Sequence, residues 1–149
     1  VDYLHALAWN WAYVGAVEKL AGTEVPERAE YIRVITCELN RIASHLLWWG
    51  AYLLDLGAFT PIMYAFDDRE RLLDILQIFT GSRLTYSAYT FGGVAADLTP
   101  EFFAKTRQFI DTLRGCAVGL AGGACLHAEG VRQALGPPLR QLRTGRPHA

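Results

Sequence analysis

From Ile32 to Leu56 the residues Ile32, Ile35, Leu39, Ile42, Leu46, Trp49, Leu53 and Leu56 follow one another at steps of 3, 4, 3, 4, 3, 4 and 3. An α-helix puts residues three and four apart on one face, so this spacing fits one long helix and excludes a strand, whose period is two. Pro26 suits its first turn, where a missing N–H costs nothing, and Glu27 and Glu30 sit at its positive end. A helix from Pro26 to about Leu56 is roughly 45 Å long. Such a rod needs other long helices beside it, packed at a shallow angle. The expected fold class is mainly α: a long-helix bundle of four helices with an irregular loop before the last.

The other helices are marked by the same signals. Residues 4–21 carry Leu4, Leu7, Trp11, Val14 and Val17 at helical steps, with Asp2 placed to cap them and Gly22 to end them. Gly57-Ala58-Phe59-Thr60-Pro61 is a turn in which Thr caps and Pro starts a third helix over 61–80, its inner face Leu72, Leu76 and Phe79. Its charged block, Asp67 to Arg71, reads as a solvated face or local ion pairs. Between Arg83 and Val94 the aromatics allow a short strand, and Gly92-Gly93 demands a turn. Thr99-Pro100-Glu101 then gives cap, first turn and dipole-matched acid for a helix to about Leu113, with Phe102, Phe103, Phe109, Ile110 and Leu113 apolar.

Beside the seam of the long helix runs a second stripe: Glu38, Arg41, His45, Trp48, Tyr52 and Asp55. Beyond Ser44 the helix is apolar nearly all round, which argues for burial. His45, Tyr52 and Asp55 are therefore expected to be buried polar groups in need of partners. Asp55, a carboxylate among Leu, Trp, Tyr and Phe, is the costliest of them. Leu46 to Phe66 carries only that one charge, but a membrane span is rejected: Asp55 lies near its centre, and Gly57 and Pro61 break it.

At 149 residues the chain is at most one ordinary domain. A net charge of −1 offers no electrostatic case for nucleic acid or an anionic membrane surface. Cys37, Cys116 and Cys125 form no C-x-x-C pair, so neither a disulfide framework nor a standard zinc or iron–sulfur ligand set is expected. Residues 1–114 are net −4, whereas 115–149 are net +3 and hold half of the 14 glycines without a sustained period. Two segments are expected: 1–114, a helical bundle, and 115–149, an atypical Gly/Ala/Arg/Pro-rich end that is either a flexible tail or an out-of-frame one. Opening on Val1 in mid-pattern, the sequence reads as a fragment of a longer protein.

The run PERAEYIRVITCELNRIASHLLWWGAYLLDLGAFTPIMYAFDDRE strongly resembles the D-type subunit of bacterial NADH–quinone oxidoreductase, respiratory complex I, a relative of the large subunits of nickel–iron hydrogenases. DYLHALAWNWAYVGAVEKLAG is similar to the preceding helix of that family, and TGSRLTYSAYTFGGVAADLTPEFF to the loop and helix that follow. The resemblance covers residues 1–114. It implies a part in the quinone-reducing site of a proton-pumping enzyme, with electrons arriving from an iron–sulfur cluster in a partner, the B-type subunit of the same complex. Tyr3, in the DY pair, matches the family's quinone-headgroup tyrosine. Asp55, in LDLGA, matches a buried aspartate that orients a headgroup histidine. That histidine belongs to an N-terminal hairpin outside this chain; His5 and His45 do not match it, and His45 is expected only as buried polar support.

By the same resemblance this chain holds no cofactor or metal, quinone is the substrate, and NADH is used by the whole complex. The partners implied are the iron–sulfur B-type subunit, the other complex I subunits and, through them, the membrane arm, on the cytoplasmic side of a bacterial inner membrane. Two positions depart from relatives: Thr90, where an Arg often precedes the Gly-Gly turn, and Thr85, where mitochondrial members have a cluster-tuning His. The alternatives are a nickel–iron hydrogenase-type large subunit, which needs paired cysteines that residues 1–114 lack, and a helical fragment inactive alone.

Overall fold

The computed structural model describes residues 2–116. Its elements are α1 (Ala6–Ala21), α2 (Glu27–Asp55), α3 (Thr60–Thr80), β1 (Tyr89–Thr90), β2 (Gly93–Val94) and α4 (Pro100–Cys116). The four expected helices are therefore present, and the ambiguous loop before α4 holds an antiparallel hairpin with Tyr89 opposite Val94 and Thr90 opposite Gly93. Gly92, at φ +77°, makes its turn. α4 continues to Cys116; the rest of the expectation for 115–149 lies outside the described residues. No helix among the described residues is long and apolar enough to cross a membrane.

The long seam builds the core as far as Leu46. Ile32, Ile35, Leu39, Ile42 and Leu46 are all buried, against Leu7 and Val14 of α1 and Leu72, Leu76 and Phe79 of α3. Phe102, Phe109, Ile110 and Leu113 add the buried face of α4, with Phe79 and Phe102 meeting edge-on at 6.4 Å. Past Leu46 the seam leaves the core: Trp49 and Leu53 are half-buried and Leu56 is exposed.

Helix ends follow chain chemistry in some places and tertiary contact in others. Gly22 and Gly81 end α1 and α3 in the left-handed conformation, as glycine does without a Cβ penalty. Thr99 Oγ1 accepts the Phe102 N–H at 3.2 Å and caps α4. Thr60 does not cap α3: it lies inside the helix, Phe59 stands at the cap with no side-chain bond, and Pro61 occupies the first turn. Asp2 acts one step earlier than expected. Its Oδ1 accepts the N–H groups of Leu4 and His5, at 3.0 and 3.4 Å, while buried Asn40 of α2 accepts the Leu7 N–H at 3.2 Å. The start of α1 is thus held from across the bundle.

Candidate functional site

Tyr3 sits in the turn that Asp2 pins, and it is 65% exposed. It borders an open cleft of about 320 Å³ with Asp2, Ala6, Trp9, Thr85 and Tyr86. Tyr86 forms the buried side of this cleft. Its hydroxyl donates to the Arg83 carbonyl at 2.7 Å, and burial pushes its pKa up to about 12, so the phenol stays protonated at neutral pH. Below the turn, Leu4 and His5 are tied to α2: Asn40 Nδ2 donates to the Leu4 carbonyl at 3.2 Å, and His5 Nε2 lies 3.3 Å from the Cys37 carbonyl. Burial lowers the His5 pKa and raises that of the Cys37 thiol, so this pair is uncharged at neutral pH.

Asp55 is the last residue of α2, and its placement corrects the sequence reading: within this chain it is exposed, not buried. Tyr52 is exposed too, and stacks on Trp48 with ring centroids 5.8 Å apart and an 18° interplanar angle. His45 is half-buried. The physical reason is one-sided cover. α3 folds back and packs closely on α2 at Gly50, where a Cβ would meet Ile62 and Ala65 at 3.2–3.3 Å. The other faces of the end of α2 have no neighbouring helix among the described residues. Trp48, Tyr52 and Leu56 near the end of α2, and Phe59, Met63 and Tyr64 at the start of α3, are exposed large apolar side chains near Asp55 in the chain. The last turn of α2 holds no basic residue. A carboxylate at the negative end of a helix, beside apolar groups, is opposed by the helix dipole. Stability does not explain it.

The chain does not bring Tyr3 and Asp55 into contact. Tyr3's neighbours are anchored opposite Cys37 and Asn40, and fifteen residues of helix separate Asn40 from Asp55, about 22 Å of rise. No three His, Cys, Asp or Glu side chains converge on a metal position among the described residues. A further cleft, between α3 and α4, is bordered by Arg71, Asp74 and Lys105, and each of these charges already has a partner: Asp67 and Asp68, Arg83, and Glu101.

One buried cluster is absent from the sequence reading. Arg33, 2% exposed, donates to both carboxylate oxygens of Glu18 at 2.7 and 2.9 Å, to the Gly93 carbonyl at 2.7 Å and to the Thr90 carbonyl at 2.9 Å. Glu18 also accepts the Gly92 N–H at 2.8 Å. Tyr89 completes the group: its hydroxyl donates to the Arg33 carbonyl at 3.0 Å and lies 2.8 Å from Thr36 Oγ1. Burial raises its pKa well above the ordinary phenol range. The hydrogen bond from Arg33, aided by that from Gly92, holds the Glu18 carboxyl below the usual carboxylate value despite burial. The ion pair clamps the hairpin to α1 and α2.

Residues 55–119 match the family described as respiratory-chain NADH dehydrogenase, 49 kDa subunit. The chain is 60% identical over 114 residues to the D-type NADH-quinone oxidoreductase subunit of Desulfotalea psychrophila, a match covering 76% of this chain and 31% of that protein. Against the second D-type subunit of Opitutus terrae it is 60% identical over the same length, 29% of that protein. For the corresponding subunit of Geobacillus thermodenitrificans the identity is 49% over 31% of the relative. The chain thus spans about a third of the length of these relatives. A chain in the structure of the membrane-bound sulfane sulfur reductase, an archaeal respiratory membrane complex, shares the fold at a TM-score of 0.65 and 30% identity, over 67% of this chain and 27% of that one.

Proposed function

This chain belongs to the family of the 49 kDa subunit of respiratory-chain NADH dehydrogenase, and from that premise we propose that it forms one wall of the quinone-reducing site of an NADH–quinone oxidoreductase. Reduction of a quinone to a quinol takes up two electrons and two protons, so the site needs positioned proton donors. The Tyr3 phenol, exposed at the mouth of its cleft, is one donor to the headgroup. Asp55 is the other element: it orients an imidazole supplied from outside this chain, fixing its tautomer and stabilising its charged form. Electrons come from an iron–sulfur cluster held by a neighbouring subunit, and the residues here bind and orient. In this reading the chain is one wall of the site, with Tyr3 ahead of α1 and Asp55 at the end of α2.

The observation that carries this reading is the position of Asp55, an exposed carboxylate at the wrong end of a helix dipole, with exposed apolar side chains near it in the chain. In the full-length subunit, within an assembled complex, Asp55→Asn is expected to lower quinone-linked turnover at least about tenfold. NADH oxidation with a hydrophilic artificial acceptor and the amount of assembled complex should stay unchanged. Normal quinone reductase rates would remove Asp55 from the site. The shared scaffold with a sulfane sulfur reductase complex favours one competing reading, a different acceptor; turnover with a polysulfide and none with quinone would select it.

A further inference from the structure

Asn40, 1% exposed on α2, directs both ends of its side-chain amide to the start of α1. Oδ1 accepts the Leu7 N–H and Nδ2 donates to the Leu4 carbonyl, both at 3.2 Å. The first N–H groups of a helix have no partner within it, and His5, at the cap of α1, provides no side-chain bond. Asn40 caps α1 from another helix. Its second bond bears on Tyr3. The peptide leaving Tyr3 gives its N–H, that of Leu4, to Asp2 Oδ1 at 3.0 Å. The next peptide is held at both ends: the His5 N–H lies 3.4 Å from the same oxygen, and the Leu4 carbonyl accepts from Asn40. Asp2 is two and three residues from its donors, so it shapes the turn without fixing it to the bundle. Asn40 is 33 and 36 residues from its partners and is buried, so it sets where the turn stands. The approach of half-buried His5 Nε2 to the Cys37 carbonyl, at 3.3 Å, is a second tie to the same stretch of α2.

We propose that Asn40 is a positioning residue for quinone reduction: from α2 it fixes the turn that presents the Tyr3 phenol to the headgroup, and it touches no substrate itself. The inference rests on the assignment of Tyr3 to the quinone site. Its test uses the full-length subunit in the assembled complex, with Asn40→Ser, Asn40→Asp, Tyr3→Phe, and Asn40→Ser combined with Tyr3→Phe. Serine is too short to reach both partners. Aspartate keeps the shape and an acceptor for the Leu7 N–H but has no N–H for the Leu4 carbonyl. NADH is the donor, and the acceptor is a short-tailed ubiquinone or menaquinone analogue, whichever the parent reduces faster. Each Asn40 variant should lower kcat/KM for the quinone by about tenfold, the scale of a sub-ångström misplacement of a reacting group. The rate toward a hydrophilic artificial acceptor and the amount of complex should stay unchanged. In the Tyr3→Phe background, where no hydroxyl is left to place, Asn40→Ser should lower it by less than about twofold more. A merely structural role would multiply with the Tyr3→Phe loss, or lower the artificial-acceptor rate and the assembled amount. Either result overturns the proposal, as does failure of both Asn40 variants to assemble. Quinone kinetics unchanged in the Asn40 variants but impaired in Tyr3→Phe overturn the role of Asn40 and leave Tyr3 in place. Unchanged kinetics in Tyr3→Phe overturn the assignment of Tyr3, and this inference with it.

Discussion

At the scale of single residues, the Glu18–Arg33 pair shows how far a sequence pattern reaches. Nothing in ERAEYIRV separates Arg33 from Arg28, which reaches Asp97 at 2.9 Å in a partly exposed pair. The partners of Arg33 lie 15, 57 and 60 residues away, and no spacing rule connects such positions. Asp55 fails in the opposite direction. An apolar circumference states what surroundings a residue prefers, not whether this chain provides them. The Glu18–Arg33 pair makes stability depend on acid in a definable way. Glu18 is held below its ordinary value of 4.5 in the folded chain, so its contribution is complete above that value and is lost as pH falls through the lower folded one. Thermal melts followed by circular dichroism between about pH 6 and 3 should show a loss of stability setting in below 4.5. In Glu18→Gln that part of the loss should be missing, from a lower starting stability.

Among elements, the helices were legible almost to their ends. The heptad seam, Gly22, Gly57, Gly81 and the Thr99-Pro100-Glu101 start are local signals, and α2 and α3 lie within about one residue of the expected bounds. The misread cap at Thr60 shows where local chemistry yields. α3 is held by packing on α2, and its first turn forms without a side-chain cap. Gly50 is the point of that packing. A Cβ there gains about 1 kcal/mol of helix propensity, but it would press on the Ile62 backbone and the Ala65 side chain at 3.3 Å. Overpacking of this kind costs about 1–3 kcal/mol, so Gly50→Ala should destabilise the α2–α3 pair by about 1 kcal/mol net. Urea unfolding of the parent and variant measures it; a stabilised variant would show that α3 moves away freely.

Over the whole molecule, what the sequence revealed was family and architecture, and what it withheld was the assembled site. Motifs singled out Tyr3 and Asp55; in the fold Tyr3 stands in the turn ahead of α1 and Asp55 at the end of α2, both exposed. The exposed apolar side chains near Asp55 in the chain and the exposed aromatics Trp9, Tyr13 and Phe91 are many for a free-standing monomer. The isolated chain should therefore self-associate at micromolar concentration, and sedimentation velocity should resolve species larger than one chain. Replacing Trp48 and Phe59 with Asp should shift the distribution toward monomer, and a monodisperse parent would contradict the role given to these side chains.

The clamp on the hairpin also has an order in time. Strands of two residues cannot hold themselves in water. The Glu18–Arg33 bond closes a short stretch of chain, so it can form as soon as α1 and α2 pair. The carbonyls of Thr90 and Gly93 leave the ribosome 57 and 60 residues after Arg33, and the Gly92 N–H follows Glu18 by 74. The same arginine thus has one partner that needs only α1 and α2, Glu18, and two that exist only with the hairpin, the Thr90 and Gly93 carbonyls.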